Sequence, residues 1–293
     1  MPYQWFPGHM TKSMRMMQEN IKLIDLIIEL SDARIPRSSR NPELKNLANG
    51  KAHALILNKA DLADEAASRE WAAFYESIGL PAVFVDAREN KAIKALRPRL
   101  MEACREKIER NRRRGINRPI RAMVVGVPNV GKSTFINSFV GRATARTGNK
   151  PGVTKGKQWI RLSKDLELLD TPGVLWPRIE DDEIGENLAV TGSIRDEIMD
   201  PAELSFILIR KLIQRYPGIL CDKYSRELTE AAGTFDGRID ETLRDHEILE
   251  HIALSRGCLK SGGEADLDKA AKLLIHDFRS GALGRLTLET PEE

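Results

Sequence analysis

Apolar residues at Met10, Met14, Met17 and Ile21 recur at helical spacing, which predicts a helix running to about Ile21. The period then changes. Residues 23–30, 54–57 and 82–85 are apolar runs of strand length, and the first two end in the polar turns Ser31-Asp32-Ala33-Arg34 and Asn58-Lys59-Ala60-Asp61. A helical pattern over 63–78 separates the second run from the third, and a long charged helix is expected over about 92–110. Another strand, 120–125, runs into a glycine-containing loop and a helix ending near Val140; strands follow near 159–162 and 166–169. Such alternation predicts an α/β fold with a mostly parallel sheet, whose ligands bind at the carboxyl ends of the strands. Beyond Pro177 the alternation stops. From 184 to 281 the pattern is helical, with Pro201 at a helix start and Gly257, Gly262 and Gly263 as breaks. The expected organisation is a domain over 1–177, including an N-terminal arm over 1–22, followed by a smaller, mainly helical domain over 178–293.

Composition narrows the classes. A chain of 293 residues with 41% hydrophobic and 30% charged residues is long enough for two cores and is not globally disordered. Its 46 basic and 43 acidic residues leave a net charge of +3, too little to imply a nucleic-acid partner without local clustering, and 5% aromatics supply little base-stacking surface. Cys104, Cys221 and Cys258 lie far apart with no C-x-x-C pair, which argues against a disulfide framework or structural zinc and fits a reducing compartment. The longest apolar stretch, 21–30, is interrupted by Lys22, Asp25 and Glu29, so no leader or membrane span is expected. A cytoplasmic protein without a membrane partner is the expectation.

The chemistry sits in the turns after strands. Gly126-Val127-Pro128-Asn129-Val130-Gly131-Lys132-Ser133 has the form G-x-x-x-x-G-K-S between a strand and a helix. There, backbone N–H groups and the helix N-terminus surround a β-phosphate, Lys132 neutralises β- and γ-oxygens, and the Ser133 hydroxyl ligates Mg²⁺. Asp170, at the end of an apolar strand in Asp170-Thr171-Pro172-Gly173, has a magnesium ion as its natural partner, and Gly173 lets a backbone N–H approach the γ-phosphate. Asn58-Lys59-Ala60-Asp61 has the form N-K-x-D. Guanine presents two adjacent donors to Asp61 and adenine does not. At roughly 1.5–3 kcal/mol per charge-assisted bond, this favours GTP over ATP by about two to four orders of magnitude. Asn58 would brace the loop and Lys59 would lie along the base.

These motifs resemble those of translation-factor-like GTPases in a circularly permuted order, with the base-reading motif first, the phosphate loop next and D-T-P-G last. Since all the loops lie at one edge of a parallel sheet, moving the chain ends preserves the site. Pro7-Gly8-His9-Met10, Asp32-Ala33-Arg34-Ile35-Pro36, Asn58-Lys59-Ala60-Asp61, residues 126–134, Pro151-Gly152-Val153-Thr154 and Asp170-Thr171-Pro172-Gly173, in that order, closely resemble the ribosome biogenesis GTPase A family. The resemblance implies a P-loop GTPase that binds GTP and GDP and acts in late assembly of the large (50S) ribosomal subunit. Its partners would be rRNA and ribosomal proteins, its helical domain would bind RNA, and it would act as a monomer.

The resemblance also implies roles. Residues Asn129, Val130, Gly131, Lys132, Ser133 and Thr134 would contact the phosphates, Thr154 would complete the Mg²⁺ shell with Ser133 and Asp170, and His9 would position the attacking water. Ala87, in Asp86-Ala87, would offer its N–H to the base where other GTPases carry Ser-Ala. Val174 follows Gly173 where many GTPases have a water-orienting glutamine, so slow intrinsic turnover accelerated by the ribosomal particle is expected. A potassium ion at Asn129 is the alternative to His9, and a nucleotide-gated rRNA-binding module with negligible hydrolysis is the alternative function. For RNA, residues 142–164 carry seven basic and no acidic side chains, and 105–121 carry eight basic and two acidic.

Overall fold

The computed structural model describes residues 15, 17–42, 44, 50–141, 158–170, 179, 181–224 and 241–291. It divides into two compact units, Met1–Gly185 with Glu289–Glu293, and Glu186–Leu288.

In the first unit six strands form one sheet: β1 (Leu26–Asp32), β2 (Ala52–Asn58), β3 (Ala82–Val85), β4 (Ile120–Gly126), β5 (Gln158–Arg161) and β6 (Leu166–Asp170). Their spatial order is β3-β2-β1-β4-β6-β5. Every neighbouring pair is parallel except β5 with β6. All seven residues of β1 are buried, as a strand covered on both faces requires. One core contains Ile27, Met123, Val125 and Leu169; another contains Leu55, Leu57, Trp71 and Tyr75. In the first helical segment Arg15 and residues 17–20 are helical, Met17 is buried, and the segment leads into a 3₁₀ turn, Ile21–Leu23.

Helix α1 (Glu65–Ser77) starts where Asp64 accepts a hydrogen bond from the Ala67 N–H at 2.9 Å, and it buries Ala67, Trp71 and Tyr75. The single helix expected over 92–110 is instead three: α2 (Asn90–Ala95), α3 (Arg97–Ala103) and α4 (Arg105–Arg113). Pro98 falls in the first turn of α3, where its missing N–H is tolerated, whereas in a continuous helix it would leave the Lys94 carbonyl without its donor. Cys104, with φ −100° and ψ 7°, forms the second joint. Helix α5 (Lys132–Val140) follows the glycine loop.

Among the described residues the regular structure of the second unit is helical apart from one isolated bridge between Leu259 and Ala265. Helix α6 (Asp182–Val190) leads into it, followed by α7 (Pro201–Arg215), α8 (Ile219–Lys223), α9 (Glu241–Ser255) and α10 (Leu267–Ser280). Pro201 opens α7, with Asp200 accepting from the Ala202 N–H at 2.8 Å. Leu204, Leu208 and Leu212 of α7, Ile248 and Ile252 of α9, and Leu274 and Phe278 of α10 are buried. Asp245 meets Arg210 Nε at 2.5 Å, yet its burial is costly enough to leave its carboxyl raised from the ordinary value. Among the described residues no helix is long and apolar enough to cross a membrane.

The units divide after Gly185, inside α6, whereas the sequence pattern changes at 177. A second feature lies outside the reach of periodicity: the chain returns to the first unit at Glu289. Its buried carboxylate accepts from the backbone N–H groups of Arg37 (2.7 Å) and Ser38 (3.0 Å) and from the Ser38 hydroxyl, and its carbonyl accepts from Trp71 Nε1 at 3.2 Å.

Candidate nucleotide-binding site

Strands β4, β1 and β2 are adjacent and parallel, so the loops that follow them leave the same edge of the sheet. Register sharpens the placement: Leu30 pairs with Gly126, and Asp32 pairs with Asn58. Gly126 lies so close to β1 that a side-chain Cβ would collide with the Leu30 carbonyl. Past it, Val127 and Val130 are buried and anchor the loop, while Gly131 adopts φ +99° at the cap of α5. A Cβ on Gly131 would strike the side chain of Asn58. That contact defines the site.

Asn58, itself buried, donates through Nδ2 to the Val130 carbonyl at 2.7 Å, and its Oδ1 accepts the Ala87 N–H at 2.8 Å. One amide thus joins three loops: the phosphate loop, the 58–61 turn and the 86–88 turn. The Ala87 carbonyl accepts from Ser138 Oγ of α5 at 2.5 Å, and the Ala60 N–H donates to the Val85 carbonyl at 3.0 Å. The Ala87 N–H, expected to reach a base, is bonded to Asn58 Oδ1 in this structure and there braces the loops.

Lys59 and Asn129, with φ of 60° and 58°, are the two described non-glycine residues with positive φ. Both lie in the predicted nucleotide loops, where locally unfavourable backbone is held by its surroundings. Lys59 Nζ reaches Asp32 Oδ2 at 2.9 Å. Asp32 is fully buried and also takes Arg34 Nε and Nη2 at 2.9 and 2.8 Å. Burial alone would raise this carboxyl, but Arg34 and Lys59 more than reverse that and hold it far below the ordinary value. Asp61 Oδ2 accepts from Arg88 Nη2 at 2.5 Å, and Arg88 also forks onto Asp86 through Nε and Nη2 at 2.9 and 2.8 Å. The Arg88 hydrogen bonds draw the Asp86 carboxyl below its usual value.

Lys132 is buried, with Nζ donating to the carbonyls of Gly126 (3.0 Å) and Val127 (2.8 Å), so the ammonium lies under the phosphate loop. Ser133 and Thr134 occupy the first turn of α5. Asp170 ends β6 and pairs in register with Val124, two residues before Gly126, which places its backbone beside the same sheet edge. Ser133 carries a hydroxyl, a hard oxygen donor of the kind that suits Mg²⁺. His9, Thr154 and Gly173 lie outside the described residues.

The comparisons agree with this geometry. A family profile described as "50S ribosome-binding GTPase" matches residues 121–231. The chain is 41% identical to the ribosome biogenesis GTPase A of Priestia megaterium, over 100% of this chain and 98% of that one. It belongs to the ribosome biogenesis GTPase A family. Members of the family hydrolyse GTP, and the present chain is a GTPase with a circularly permuted, mostly parallel P-loop domain. It is also 36% identical to the mouse mitochondrial ribosome-associated GTPase 1, over 98% of this chain and 90% of that one. Among solved structures it resembles the GNP-bound YlqF of Thermotoga maritima, with a TM-score of 0.63 and 26% identity, covering 96% of this chain and 99% of that one.

Three residues bearing on this site were not assigned a part by sequence. Asp32 carried a signal, an acidic residue closing an apolar strand. Arg88 carried only its spacing from Asp86, and Glu289 carried none, because its partners are about 250 residues away in sequence.

Proposed function

We propose that the protein binds GTP and GDP in the loops 58–61, 86–88 and 126–134, hydrolyses GTP with Mg²⁺, and uses that cycle in late maturation of the large ribosomal subunit. The observation that carries this reading is Asn58, whose side chain ties the phosphate loop to both loops of the base pocket. Asp61 accepts the two guanine donors, and Lys59 lies along the base. The N–H groups of 129–134 surround the phosphates, and Gly173 adds one at the γ-phosphate. Lys132 exchanges its carbonyl contacts for phosphate oxygens, which neutralises charge as it develops.

Ser133, Thr154 and Asp170 would hold Mg²⁺, which when bound neutralises the β- and γ-oxygens. His9 positions the water from the N-terminal arm; potassium at Asn129 is the alternative. In a loose transition state positioning counts for more than basicity, so a single histidine supplied by an ordered arm suffices. The protein acts as a cytoplasmic monomer, as a permuted GTPase domain over 1–177 followed by a helical domain over 178–293. Exposed Arg110, Arg112, Arg113 and Arg114, at the end of α4 and just beyond it, support contact with rRNA phosphates.

Co-sedimentation with separated ribosomal subunits tests this reading. Retention on the large subunit with a non-hydrolysable GTP analogue, and weaker retention with GDP or no nucleotide, is expected; equal retention in all three states contradicts it. Val174, which cannot hydrogen-bond water, favours a second reading: a nucleotide-gated rRNA-binding module with negligible hydrolysis. Single-turnover hydrolysis with and without large subunits separates the two, with stimulation expected and its loss in His9→Ala assigning the histidine.

A further inference from the structure

The base-reading carboxylate does not stand alone. Asp61 and Asp86 come from different turns, after β2 and β3, yet both place Oδ2 on one nitrogen, Arg88 Nη2, at 2.5 and 2.8 Å. Arg88 further donates through Nε to both Asp86 oxygens, at 2.9 and 3.1 Å, and its own N–H bonds Asp86 Oδ1 at 2.9 Å. The guanidinium is therefore fixed on Asp86 by a planar fork, and its remaining reach is aimed at Asp61. Exposure is graded across the trio: the side chains are 16% exposed for Asp86, 28% for Asp61 and 67% for Arg88. The two acids are the sheltered partners and the arginine covers them from the solvent side.

Two like charges sharing one nitrogen would repel if that nitrogen were removed, and Asp61 is the partner with freedom to turn, since Asp86 also accepts the Arg88 backbone N–H. Guanine recognition requires both Asp61 oxygens to face the N1–H and N2–H₂ edge together. A carboxylate oxygen has two lone pairs, so Oδ2 can keep Arg88 while accepting a guanine donor.

We propose that Arg88 is a specificity-determining residue of the guanine pocket: by bridging Asp61 to Asp86 it offsets the charge of Asp86 and holds the Asp61 carboxylate in its base-reading orientation. This rests on the reading of Asp61 as the base-reading group. The arginine acts through Asp61 and is a positioning residue. It gives guanine selectivity a dependence on three residues, of which Asp86 is the one that makes Arg88 necessary.

The test measures equilibrium binding of GTP and ITP to the full chain, ITP lacking the exocyclic amine and hence one of the two donors. Arg88→Ala is expected to weaken GTP binding about tenfold and to compress the GTP-over-ITP preference, the scale of one charge-assisted contact. Asp86→Asn keeps the shape and the backbone hydrogen bond while removing the charge. In that background Arg88→Ala should cost no more than about threefold, and the preference for GTP should return. A general disturbance of the fold would lower GTP and ITP binding alike and would not be rescued by Asp86→Asn. Unchanged or tighter GTP binding in Arg88→Ala, or a double variant no better than the single one, overturns the proposal. Asp61→Ala is the control for the underlying reading: if it retains full GTP preference, the base pocket itself is misassigned, whereas loss of preference there with none in Arg88→Ala overturns only the role of Arg88.

Discussion

Lys59 Nζ lies 2.9 Å from Asp32 Oδ2, so the lysine of the base loop is held across to the end of the neighbouring strand. The two ends of this pair differ. Asp32 also neutralises the fully buried Arg34, whereas Lys59 is 23% exposed at its side chain. Asp32→Asn should therefore cost about 3–5 kcal/mol of stability, because it leaves a buried guanidinium without its counter-charge. Lys59→Met keeps the apolar stem and should leave stability within about 1 kcal/mol while weakening GDP binding about tenfold. Urea unfolding and nucleotide titration of both variants check this; equal loss of stability in the two would contradict it.

Acid should act on the first unit through buried carboxylates. Burial raises Asp25, Glu29 and Asp32, but their basic partners outweigh it: Arg118 and Lys107, with the Arg121 N–H, for Asp25; His53 and Arg40 for Glu29; Arg34 and Lys59 for Asp32. All three end below their ordinary values. A depressed folded-state value means that the stabilisation is complete above the unfolded-state value and is lost as pH falls toward the folded-state value. Trp5, Trp71, Trp159 and Trp176 all precede residue 186, whereas Tyr216 and Tyr224 do not, so fluorescence excited selectively at tryptophan reports the first unit alone. The fluorescence-detected urea midpoint should fall as pH drops from about 5 to 3, and Asp25→Asn should flatten that slope. A midpoint independent of pH over this range would contradict the argument.

Glu289 provides a third test. Removing its carboxylate leaves the Arg37 and Ser38 N–H groups without their acceptor, at roughly 1–3 kcal/mol for each buried donor. Glu289→Ala should lower the first unit's stability by about 2–4 kcal/mol, and Glu289→Gln, which keeps an acceptor oxygen, by about half as much. Thermal unfolding followed by tryptophan fluorescence measures both, and an unchanged midpoint in Glu289→Ala would show that the contact does not hold the 32–40 loop.

How far the sequence foretold this arrangement follows from what each residue answers to. Strand and helix positions were legible because local periodicity governs them, as in the strand at 82–85, which the structure reproduces at Ala82–Val85. The phosphate loop was legible because its glycines are required by close approach, Gly126 to Leu30 and Gly131 to Asn58. The continuous helix over 92–110 failed because its apolar positions continue through two joints, one where Pro98 cannot donate to the Lys94 carbonyl and one where Cys104 leaves helical geometry. The tie from Ala87 to Asn58 was not legible, because the sequence cannot say which acceptor within the fold reaches the Ala87 N–H. Arg88 and Glu289 were out of reach for a related reason: each bridges turns that only the folded sheet brings together.

Nucleotide selectivity of Asp61→Asn addresses the central claim most directly. With the carboxylate replaced by an amide, a donor faces the N2 amino group, while xanthine presents a carbonyl at that position. The affinity for GTP should fall and that for XTP should rise, reversing the preference of the unsubstituted protein, as measured by competition against a fluorescent nucleotide. A variant that still selects GTP over XTP as strongly as the original would show that Asp61 does not read the base.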